Sequence, residues 1–332
     1  MTDPRPPLTV IVPTFNRSGY VRACLTGLRQ SGVPDLEVIV ADDGSTDDTK
    51  DVVAATDPRA KYLWQPNTGT PATARNAAFA VSTGRYVGFL DCDDAWLPGA
   101  PAEAVRLLDA HPGVDVLFAD ANMGNPKDGY VSWIGVAGQD EFFRLPHREV
   151  EPGFRVLERG PFFRRLAYRN PVFIGACVMR REAFAAGGGF DPKLRGAADW
   201  DLWLRMAHTL TFGFMTRPLA VYTRHLDNMS SNQDHMIGEF AQALRNTLAK
   251  CDLTAEERRH VRARLEHQLF GHAYLAYDCG DFRTARRRFA TLLKDTGPSA
   301  KGLAFWAACA LPFGLAGRLR GLKHRVSGGG RA

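Results

Sequence analysis

The sequence predicts an α/β fold in which a mostly parallel sheet is flanked by helices and followed by an all-helical C-terminal appendage. Three short apolar runs rich in β-branched residues are typical of strands: LTVIV (8–12), LEVIVA (36–41) and RYVGFL (85–90). Segments with helical signals lie between them. Because strands and helices alternate along the chain, a parallel sheet with helices on both faces is expected.

The helices between these strands are predicted from apolar spacing and end signals. One face of residues 20–30 is apolar at helical spacing. Ser45, with Asp48 three residues later, predicts a capping box that opens a helix ending near Thr56. Pro71 is suited to the first turn of a third, alanine-rich helix.

The second half of the chain predicts fewer strands and more helix. Residues 123–172 contain glycine, proline and scattered aromatic residues, so we expect loops and short elements that cover one edge of the sheet. A strand and a short helix are expected over residues 172–184, and apolar spacing predicts a helix over 198–207. Residues 234–295 are Arg-rich and are expected to be helical throughout.

We therefore divide the chain into an α/β domain over residues 1–232, a helical appendage over 233–300 and a tail over 301–332. The uncharged run GLAFWAACALPFGLAG (302–317) is shorter than the roughly 20 residues that span a bilayer, and the basic run RLRGLKHR follows it. These features favour an amphipathic tail that lies at a membrane interface and contacts anionic head groups. The alternative is that the run packs on the body of the protein or on a second subunit.

Composition and charge narrow the class of protein. Charged residues make up 23% of the 332 residues and hydrophobic residues 45%, as in folded globular proteins. Residues 255–332 contain 15 Lys and Arg against 6 Asp and Glu, so the basic surplus lies in the last part of the chain and no nucleic-acid partner is expected for the main domain. The six cysteines include no CxxC pair and the N-terminus has no signal-peptide pattern, so we expect a cytoplasmic protein with reduced thiols, peripheral on the membrane face through its tail.

Polar residues follow three of the predicted strands. Asp91, Asp93 and Asp94 come directly after the third, while residues 13–16 and 42–45 follow the first two. The carboxyl ends of parallel strands meet at one edge of a sheet, which is where ligands of α/β proteins bind. One site is therefore expected there.

Neighbouring carboxylates repel one another unless a positive charge lies among them, and a divalent cation is the simplest such partner. Carboxylate oxygens with few other protein ligands suit Mg²⁺ or Mn²⁺ bound together with substrate phosphates. The sequence has no GxxxxGK[ST] motif and no GxGxxG after the first strand. Neither a P-loop nor a dinucleotide-binding fingerprint therefore offers an alternative to this interpretation. The alternative is that these are ordinary solvated loop acids.

Over residues 8–230 the sequence resembles the family 2 glycosyltransferases of the GT-A fold. The resemblance is carried by six blocks in the order of the family: VIVPTFNR (10–17), VIVADDGSTDDT (38–49), NTGTPATARNAA (67–78), GRYVGFLDCDD (84–94), GGFDPKLRGAADWDLWLRMA (188–207) and VYTRHLDNMSSN (221–232). A single D-x-D is weak support, whereas six ordered blocks are specific.

The resemblance implies a role for individual residues of the 1–232 domain. Contacts to a nucleotide, with UDP-linked sugars favoured, are implied for Pro13, Thr14, Asn16, Asp42, Asp43, Arg75 and Asp91. Mn²⁺ or Mg²⁺ is expected at Asp93, with Asp91 and His225 as further ligands. The alternatives are that Arg75 forms a salt bridge on a helix surface and that His225 is a loop histidine.

Asp199 matches the aspartate of the Glu-Asp pair of the family, which is its catalytic base. The glutamate is replaced by Ala198, a departure that puts the support of the base in doubt, and Asp201 is a second candidate. The implied reaction is an inverting transfer of a sugar from a nucleoside-diphosphate sugar to a hydroxyl of a glycan or glycolipid, as in bacterial surface polysaccharide assembly. As an alternative, Asp199 is only a helix N-terminal carboxylate.

Two rival functions remain. A non-catalytic protein that binds sugar nucleotides as a scaffold would explain Ala198. A nucleotidyltransferase would also use an α/β fold and acidic metal ligands, but a Gly-rich basic loop is expected after its first strand, and VPTFNRSGY is not such a loop.

Overall fold

The computed structural model describes residues 4–125, 129–136, 140–223 and 233–310. The chain separates into two compact units, with the division between Ser231 and Asn232. The first unit contains the sheet and its flanking helices, and the described residues of the second unit are helical. Each unit is described by itself below.

In the described part of the first unit, the sheet has eleven strands in the order β3-β2-β1-β4-β10-β6-β11-β9-β8, with β5 paired to β11 and β7 paired to β6. The strands are β1 (Leu8–Thr14), β2 (Glu37–Asp42), β3 (Lys61–Trp64), β4 (Tyr86–Phe89), β5 (Ala95–Trp96), β6 (Val116–Asn125), β7 (Gly129–Ser132), β8 (His147–Glu151), β9 (Phe154–Leu157), β10 (Cys177–Arg180) and β11 (Phe212–Tyr222).

The fold class predicted from the sequence is confirmed. Strands β1, β2, β3 and β4 pair in parallel, and β6 pairs in parallel with β11. Strand β10 lies between β4 and β6 and is antiparallel to both, so these two halves of the sheet point the same way. The three apolar runs at 8–12, 36–41 and 85–90 form β1, β2 and β4, whose residues are buried, as expected for strands covered by helices on both faces. The strand expected within 172–184 is β10.

Among the described residues of this unit, eight helices flank the sheet, and two short 3₁₀ helices cover Asp140–Arg144 and Ile174–Ala176. The helices are α1 (Ser18–Leu28), α2 (Thr49–Thr56), α3 (Pro71–Val81), α4 (Ala100–Ala110), α5 (Trp133–Val136), α6 (Arg159–Tyr168), α7 (Arg181–Ala186) and α8 (Ala198–Ala207).

Two expectations about local structure were wrong. The capping box at Ser45 does not form, because α2 begins only at Thr49 and the Ser45 hydroxyl instead accepts a hydrogen bond from the Asn16 N–H. Residues 123–172 are also more regular than expected, since they contain the ten-residue helix α6 and the hairpin of β8 and β9. Strands of four or five residues leave a weak periodicity signal.

The second unit consists of four described helices: α9 (Gln233–Lys250), α10 (Ala255–Asp278), α11 (Phe282–Thr296) and α12 (Ala300–Ala308). Thr254 and Glu257 form a capping box at the start of α10. The ring of Phe305 in α12 contacts the rings of Phe270 and Phe289 in α10 and α11. The start of the apolar run at 302–317 is therefore packed within this unit, while residues 311–332 lie outside the described ranges.

None of the helices among the described residues is long and apolar enough to cross a membrane. This agrees with the sequence expectation for the run at 302–317 only as far as Ala310, where the described residues end. The interfacial tail stays a prediction.

Candidate active site

A cavity of about 560 Å³ opens at the carboxyl ends of β1, β2 and β4, next to the start of α8. This is the sheet edge at which the sequence predicted one site. The cavity is lined by Pro13, Thr14, Phe15, Arg17, Asp43, Asn67, Gly69, Thr70, Pro71, Arg75, Asp91, Cys92, Asp93, Asp94, Trp133, Phe173, Ile174, Arg195, Gly196, Ala198, Asp199 and Tyr222.

Asp42 and Asn16 shape the loops beside the cavity and are not among the described residues that line it. Asp42 is fully buried and accepts hydrogen bonds from the Tyr62 hydroxyl at 2.5 Å and the Ser45 N–H at 2.7 Å. Asn16 has a left-handed backbone, and its side-chain oxygen accepts a hydrogen bond from the Thr46 N–H at 2.8 Å. Both residues tie the loop after β1 or β2 in place, and their predicted contact with a nucleotide stays a prediction.

Asp43 lies at the wall of the cavity next to Pro13 and Thr14. Its carboxylate accepts hydrogen bonds from the Gln65 side chain at 2.7 Å and the Thr68 hydroxyl at 2.9 Å. Gly44, with φ of +90°, allows close contact, because a Cβ at this position would lie 2.6 Å from the Asn67 backbone nitrogen. The loop after β3 is thereby held against the end of β2.

Arg75 and Asp91 form an ion pair inside the cavity, in which the Arg75 side chain is buried and the Asp91 side chain is 35% exposed. Arg75 projects from α3, its side chain is only 7% exposed, and its guanidinium lies over the ring of Phe190. The Nε of Arg75 is buried and has no hydrogen-bond partner among the described residues. A buried donor in a polar cavity is typical of a site that a ligand completes, and the alternative of a surface salt bridge for Arg75 is wrong because the side chain is buried.

Asp93 is paired with Arg17, whose Nη1 lies 2.6 Å from the Asp93 Oδ2. Asp94 is buried, and its Oδ1 accepts a hydrogen bond from the Thr223 N–H at 2.9 Å. Burial, reinforced by the nearby charge of Asp91, raises the pKa of Asp94 well above its usual range. The three acids therefore have different roles, because Asp91 and Asp93 present carboxylates to the cavity while Asp94 ties the loop to the end of β11.

Carboxylates and guanidiniums both line the cavity. Among the described residues they are Asp43, Asp91, Asp93, Asp94 and Asp199 against Arg17, Arg75 and Arg195. Asp91 and Asp93 present carboxylate oxygens, which are hard ligands that suit Mg²⁺ or Mn²⁺. Within the described ranges, no group of three or more His, Cys, Asp or Glu side chains is arranged to hold a metal ion. The carboxylates of Asp91 and Asp93 fit a divalent cation that takes further ligands from a phosphate.

Asp199 opens α8 and lies at the cavity, partly exposed. Burial raises the pKa of Asp199 to about 6. The Asn170 side-chain nitrogen lies 3.4 Å from the Asp199 Oδ2, so an amide neighbours this carboxylate. Ala198, the position at which the sequence resemblance implied a glutamate, also lines the cavity.

Asp201 is excluded as an alternative base. It is fully buried and forms an ion pair with Arg205, whose Nη2 lies 2.9 Å from the Asp201 Oδ2. The same guanidinium donates to the carbonyl oxygens of Gly187 and Gly189. The pair anchors α8 to the glycine turn before it, on the side of the helix away from the cavity.

Three aromatic rings form an apolar wall of the same cavity, in contrast to the charged carboxylates that also line it. The ring of Trp133 lies 5.4 Å from that of Phe173 and 5.1 Å from that of Tyr222, centroid to centroid. The Phe173 and Tyr222 rings are 5.3 Å apart. We call this set the aromatic wall.

Sequence reasoning missed Arg17, Arg195 and the aromatic wall. Arg17 was available as the last residue of the block VIVPTFNR, whereas Arg195 is one of many arginines and gave no separate signal. The members of the aromatic wall come from three distant segments, so only the fold brings them together. His225 lies outside the described residues, and its role at a metal stays a prediction.

Comparison with known proteins decides the family. The family model described as Glycosyl transferase family 2 matches residues 9–188, which is more than half of the chain. The chain belongs to glycosyl transferase family 2. The resemblance noted in the sequence is thereby confirmed for the family.

The alignments of this family 2 member with its relatives cover only part of each relative's length. The chondroitin synthase of Pasteurella multocida (strain Pm70) is 26% identical over 230 residues, which is 68% of this chain and 21% of that protein. The GalNAc(5)-diNAcBac-PP-undecaprenol beta-1,3-glucosyltransferase of Campylobacter jejuni subsp. jejuni serotype O:2 is 41% identical over 99 residues, or 29% of this chain and 32% of that protein. The chain thus spans about a fifth to a third of the length of these two relatives.

Solved structures share the fold of this family 2 member. S. aureus TarS 1-349 in complex with UDP-GlcNAc matches with a TM-score of 0.61 and 18% identity, over 91% of this chain and 90% of that one. The mannosyltransferase PcManGT from Pyrobaculum calidifontis, in complex with GDP-Man and Mn²⁺, matches with a TM-score of 0.57 and 22% identity, over 92% and 80%. At these identities the likeness shows the fold alone.

Proposed function

We propose that this chain transfers a sugar, with inversion, from a nucleoside-diphosphate sugar to a hydroxyl of a glycan or lipid-linked glycan. The observation that carries the proposal is one cavity that holds Asp43, Arg75, Asp91 and Asp93 together with Asp199. The first four suit a nucleotide diphosphate and the last suits a proton acceptor. UDP as the carrier is supported by the UDP-GlcNAc in the complex of TarS 1-349.

Binding of the diphosphate is assigned to Arg75 and to a divalent cation, Mn²⁺ or Mg²⁺. Asp91 and Asp93, with His225 as a predicted third ligand, would hold the cation, and the position of both carboxylates at the cavity supports this assignment. When bound, such a cation would stabilise the negative charge that develops on the leaving diphosphate. Mn²⁺ in the complex of PcManGT is a further support.

The reaction we assign to Asp199 is proton removal from the acceptor hydroxyl. As the proton moves to the carboxylate, the hydroxyl oxygen forms a bond to the anomeric carbon on the face opposite the diphosphate. The bond from that carbon to the diphosphate oxygen breaks, and the nucleoside diphosphate departs with the electron pair. Attack from the opposite face inverts the anomeric centre, and general-base catalysis contributes about 10²–10⁴-fold to the rate.

The acceptor belongs on the side of Asp199 and the aromatic wall. Aromatic rings offer an apolar surface against which the C–H faces of sugar rings pack. Relatives named for undecaprenol-linked and teichuronic acid glycosyl transfer support an acceptor in bacterial polysaccharide synthesis. A cytoplasmic location on the membrane face is proposed with it, on the support of the basic tail.

Calorimetric titration with UDP, GDP and CDP, each with and without Mn²⁺, tests the proposal first. We expect Mn²⁺-dependent binding of one nucleotide. Asp93→Ala should remove the dependence on Mn²⁺, and Asp51→Asn, which removes an exposed carboxylate of α2, should not. Absence of binding by all three nucleotides in the presence of Mn²⁺ would contradict the proposal.

A non-catalytic scaffold is the alternative that Ala198 keeps open. The two functions are separated by measuring release of the free nucleotide from a panel of sugars on the carrier that binds. Turnover that Asp199→Ala removes, while nucleotide affinity is retained, supports the enzyme. Nucleotide binding with no turnover of any sugar, in either protein, supports the scaffold.

A further inference from the structure

The two acid–arginine pairs in the cavity differ in how firmly the arginine is held. The Arg75 side chain is 7% exposed and its guanidinium lies over the ring of Phe190, so burial holds it beside Asp91. The Arg17 side chain is 30% exposed, and its guanidinium lies 5.5 Å from the centroid of the Tyr20 ring. Arg17 therefore reaches Asp93 from the rim of the cavity, with solvent on one side.

The backbone of Arg17 is held although its side chain is partly exposed. Its carbonyl oxygen accepts the first hydrogen bond of α1, from the Val21 N–H at 3.0 Å. The next residue, Ser18, donates its N–H to Asp47 at 3.2 Å. Rotation of the long side chain can thus move the guanidinium without moving the loop.

The position of the guanidinium has a consequence for a cation. The Arg17 Nη1 lies 2.6 Å from the Asp93 Oδ2, and the Asp93 side chain is 18% exposed. A cation that takes this oxygen as a ligand must displace the guanidinium from it, because two positive groups cannot share one close contact without strong repulsion. The diphosphate of a nucleotide offers the displaced guanidinium another anionic partner, with which arginine forms paired hydrogen bonds.

We propose that Arg17 masks Asp93 until a nucleotide diphosphate draws the guanidinium away, so that a divalent cation binds at Asp93 tightly only with nucleotide present. The inference rests on the proposed function, since it assumes that the cavity takes a nucleotide diphosphate and a cation. It adds a positioning residue, Arg17, that makes the binding of the two cooperative. An effector that raises the affinity for a second ligand does so reciprocally, so Mn²⁺ must also tighten nucleotide binding.

The test measures Mn²⁺ affinity from the EPR signal of free Mn²⁺, with the full chain and no nucleotide. Arg17→Gln should tighten Mn²⁺ binding by about 3- to 10-fold, the size of effect expected on losing one partly exposed ion pair that competes with the cation. UDP should then improve the Mn²⁺ affinity of Arg17→Gln by a smaller factor than that of the wild type. Arg17→Met tests the same loss of charge with a side chain that keeps its aliphatic part.

Two controls separate masking from general electrostatics. Arg22→Gln removes an exposed arginine of α1 outside the cavity and should leave the Mn²⁺ affinity within about twofold. In the background of Asp93→Asn, Arg17→Gln should change the affinity no further, because the masked ligand is gone.

The proposal is overturned if both Arg17 variants, with unchanged thermal unfolding, bind Mn²⁺ alone no more tightly than the wild type, including the case in which none of the proteins binds it. A general rise in affinity that Arg22→Gln shares also overturns it. Failure of the proposed function has a different signature, which is absence of nucleotide binding by the wild type at saturating Mn²⁺.

Discussion

At Asp199 the requirements of catalysis and of stability conflict. Burial raises the pKa of this carboxyl to about 6, so the folded protein binds its proton more tightly than the unfolded chain does. The free energy of unfolding should therefore fall as pH rises from about 4 to about 6, and ionised Asp199 costs stability at every higher pH. The same ionised form is the one that accepts a proton from an acceptor.

The conflict gives a prediction for Asp199→Asn. The variant should be more stable than the wild type by up to about 3 kcal/mol at pH 8 and equal to it below about pH 4, because the pKa rises from 3.8 to about 6 and each pKa unit corresponds to about 1.4 kcal/mol. Transfer should be lost while nucleotide affinity is unchanged. Urea unfolding at the two pH values and nucleotide titration measure the three quantities.

Wild-type turnover should follow the same group. Below about pH 6 the rate should fall tenfold for each pH unit, since the protonated carboxyl cannot act as a base. A flat rate from pH 5 to 8 would contradict the role of Asp199 as the base.

The stability of Asp199→Asn has its own contradicting outcome. If this variant were less stable than the wild type at pH 8, the burial of ionised Asp199 would impose no cost on folding.

In strand β2, the residue that stabilises the fold and the residues near the cavity lie at opposite ends of the strand. Glu37 begins the strand, and Asp42 and Asp43 follow at the end that faces the cavity, about 16 Å away at the rise of a β-strand. Glu37 is buried and accepts hydrogen bonds from Lys61 at 2.5 Å, from Thr83 and from the Thr9 hydroxyl. Burial opposes ionisation, but these hydrogen bonds outweigh it and lower the pKa of Glu37 to about 2.

Glu37→Gln should destabilise the protein by about 2–3 kcal/mol at pH 7, from the size of the pKa shift. The sign follows from the lowered pKa: the stabilisation is complete above the unfolded pKa near 4.5 and is lost as pH falls toward 2. The difference between variant and wild type in urea unfolding should therefore shrink between pH 5 and pH 3.

Nucleotide affinity serves as the control for this variant. It should be unchanged, since Glu37 lies at the far end of the strand from the cavity. A difference in stability that does not vary with pH would show that the ionised carboxylate is not the cause, and a change in nucleotide affinity would contradict the separation of the two ends of β2.

At the scale of the whole molecule, the two units carry different charge. Residues 232–332, the second unit, hold 17 Lys and Arg against 9 Asp and Glu, whereas residues 1–231 hold 25 against 27. Because Phe305 packs among the rings of α10 and α11, a deletion that begins at residue 302 would remove part of the core of the helical unit. A test of the tail should therefore remove residues 311–332 only.

Removal of residues 311–332 should abolish flotation of the protein with vesicles that contain anionic lipid, because a basic run binds such surfaces by about 1 kcal/mol for each charge. A full-length variant with glutamine at Arg318, Arg320, Lys323 and Arg325 should lose binding to the same extent. Neutral phosphatidylcholine vesicles are the control surface. Equal flotation of the shortened and full-length proteins would reject the interfacial tail.

The sequence by itself determined the class of fold and the edge of the sheet where the site lies. Strands β1, β2 and β4, helices α3 and α8 and the order of the motifs follow from local periodicity and end signals. Asp43, Arg75, Asp91, Asp93 and Asp199 were all named from their place after a strand or at a helix and from family motifs, and all line one cavity. These properties depend on residues close together in the chain.

Tertiary structure alone decided which partners those residues meet. The sequence around Ser45 predicts a helix cap. The fold instead brings Asn16, in the loop after β1, beside it, and the Ser45 hydroxyl accepts a hydrogen bond from the Asn16 N–H. The sequence makes Asp201 a second candidate for the base, but in the structure Asp201 is buried and forms an ion pair with Arg205. Arg17 lies 76 residues from Asp93 in sequence and contacts it in space. A hydrogen bond or an ion pair depends on distances of a few ångströms, which local propensity does not encode and which only the packing of the whole sheet sets.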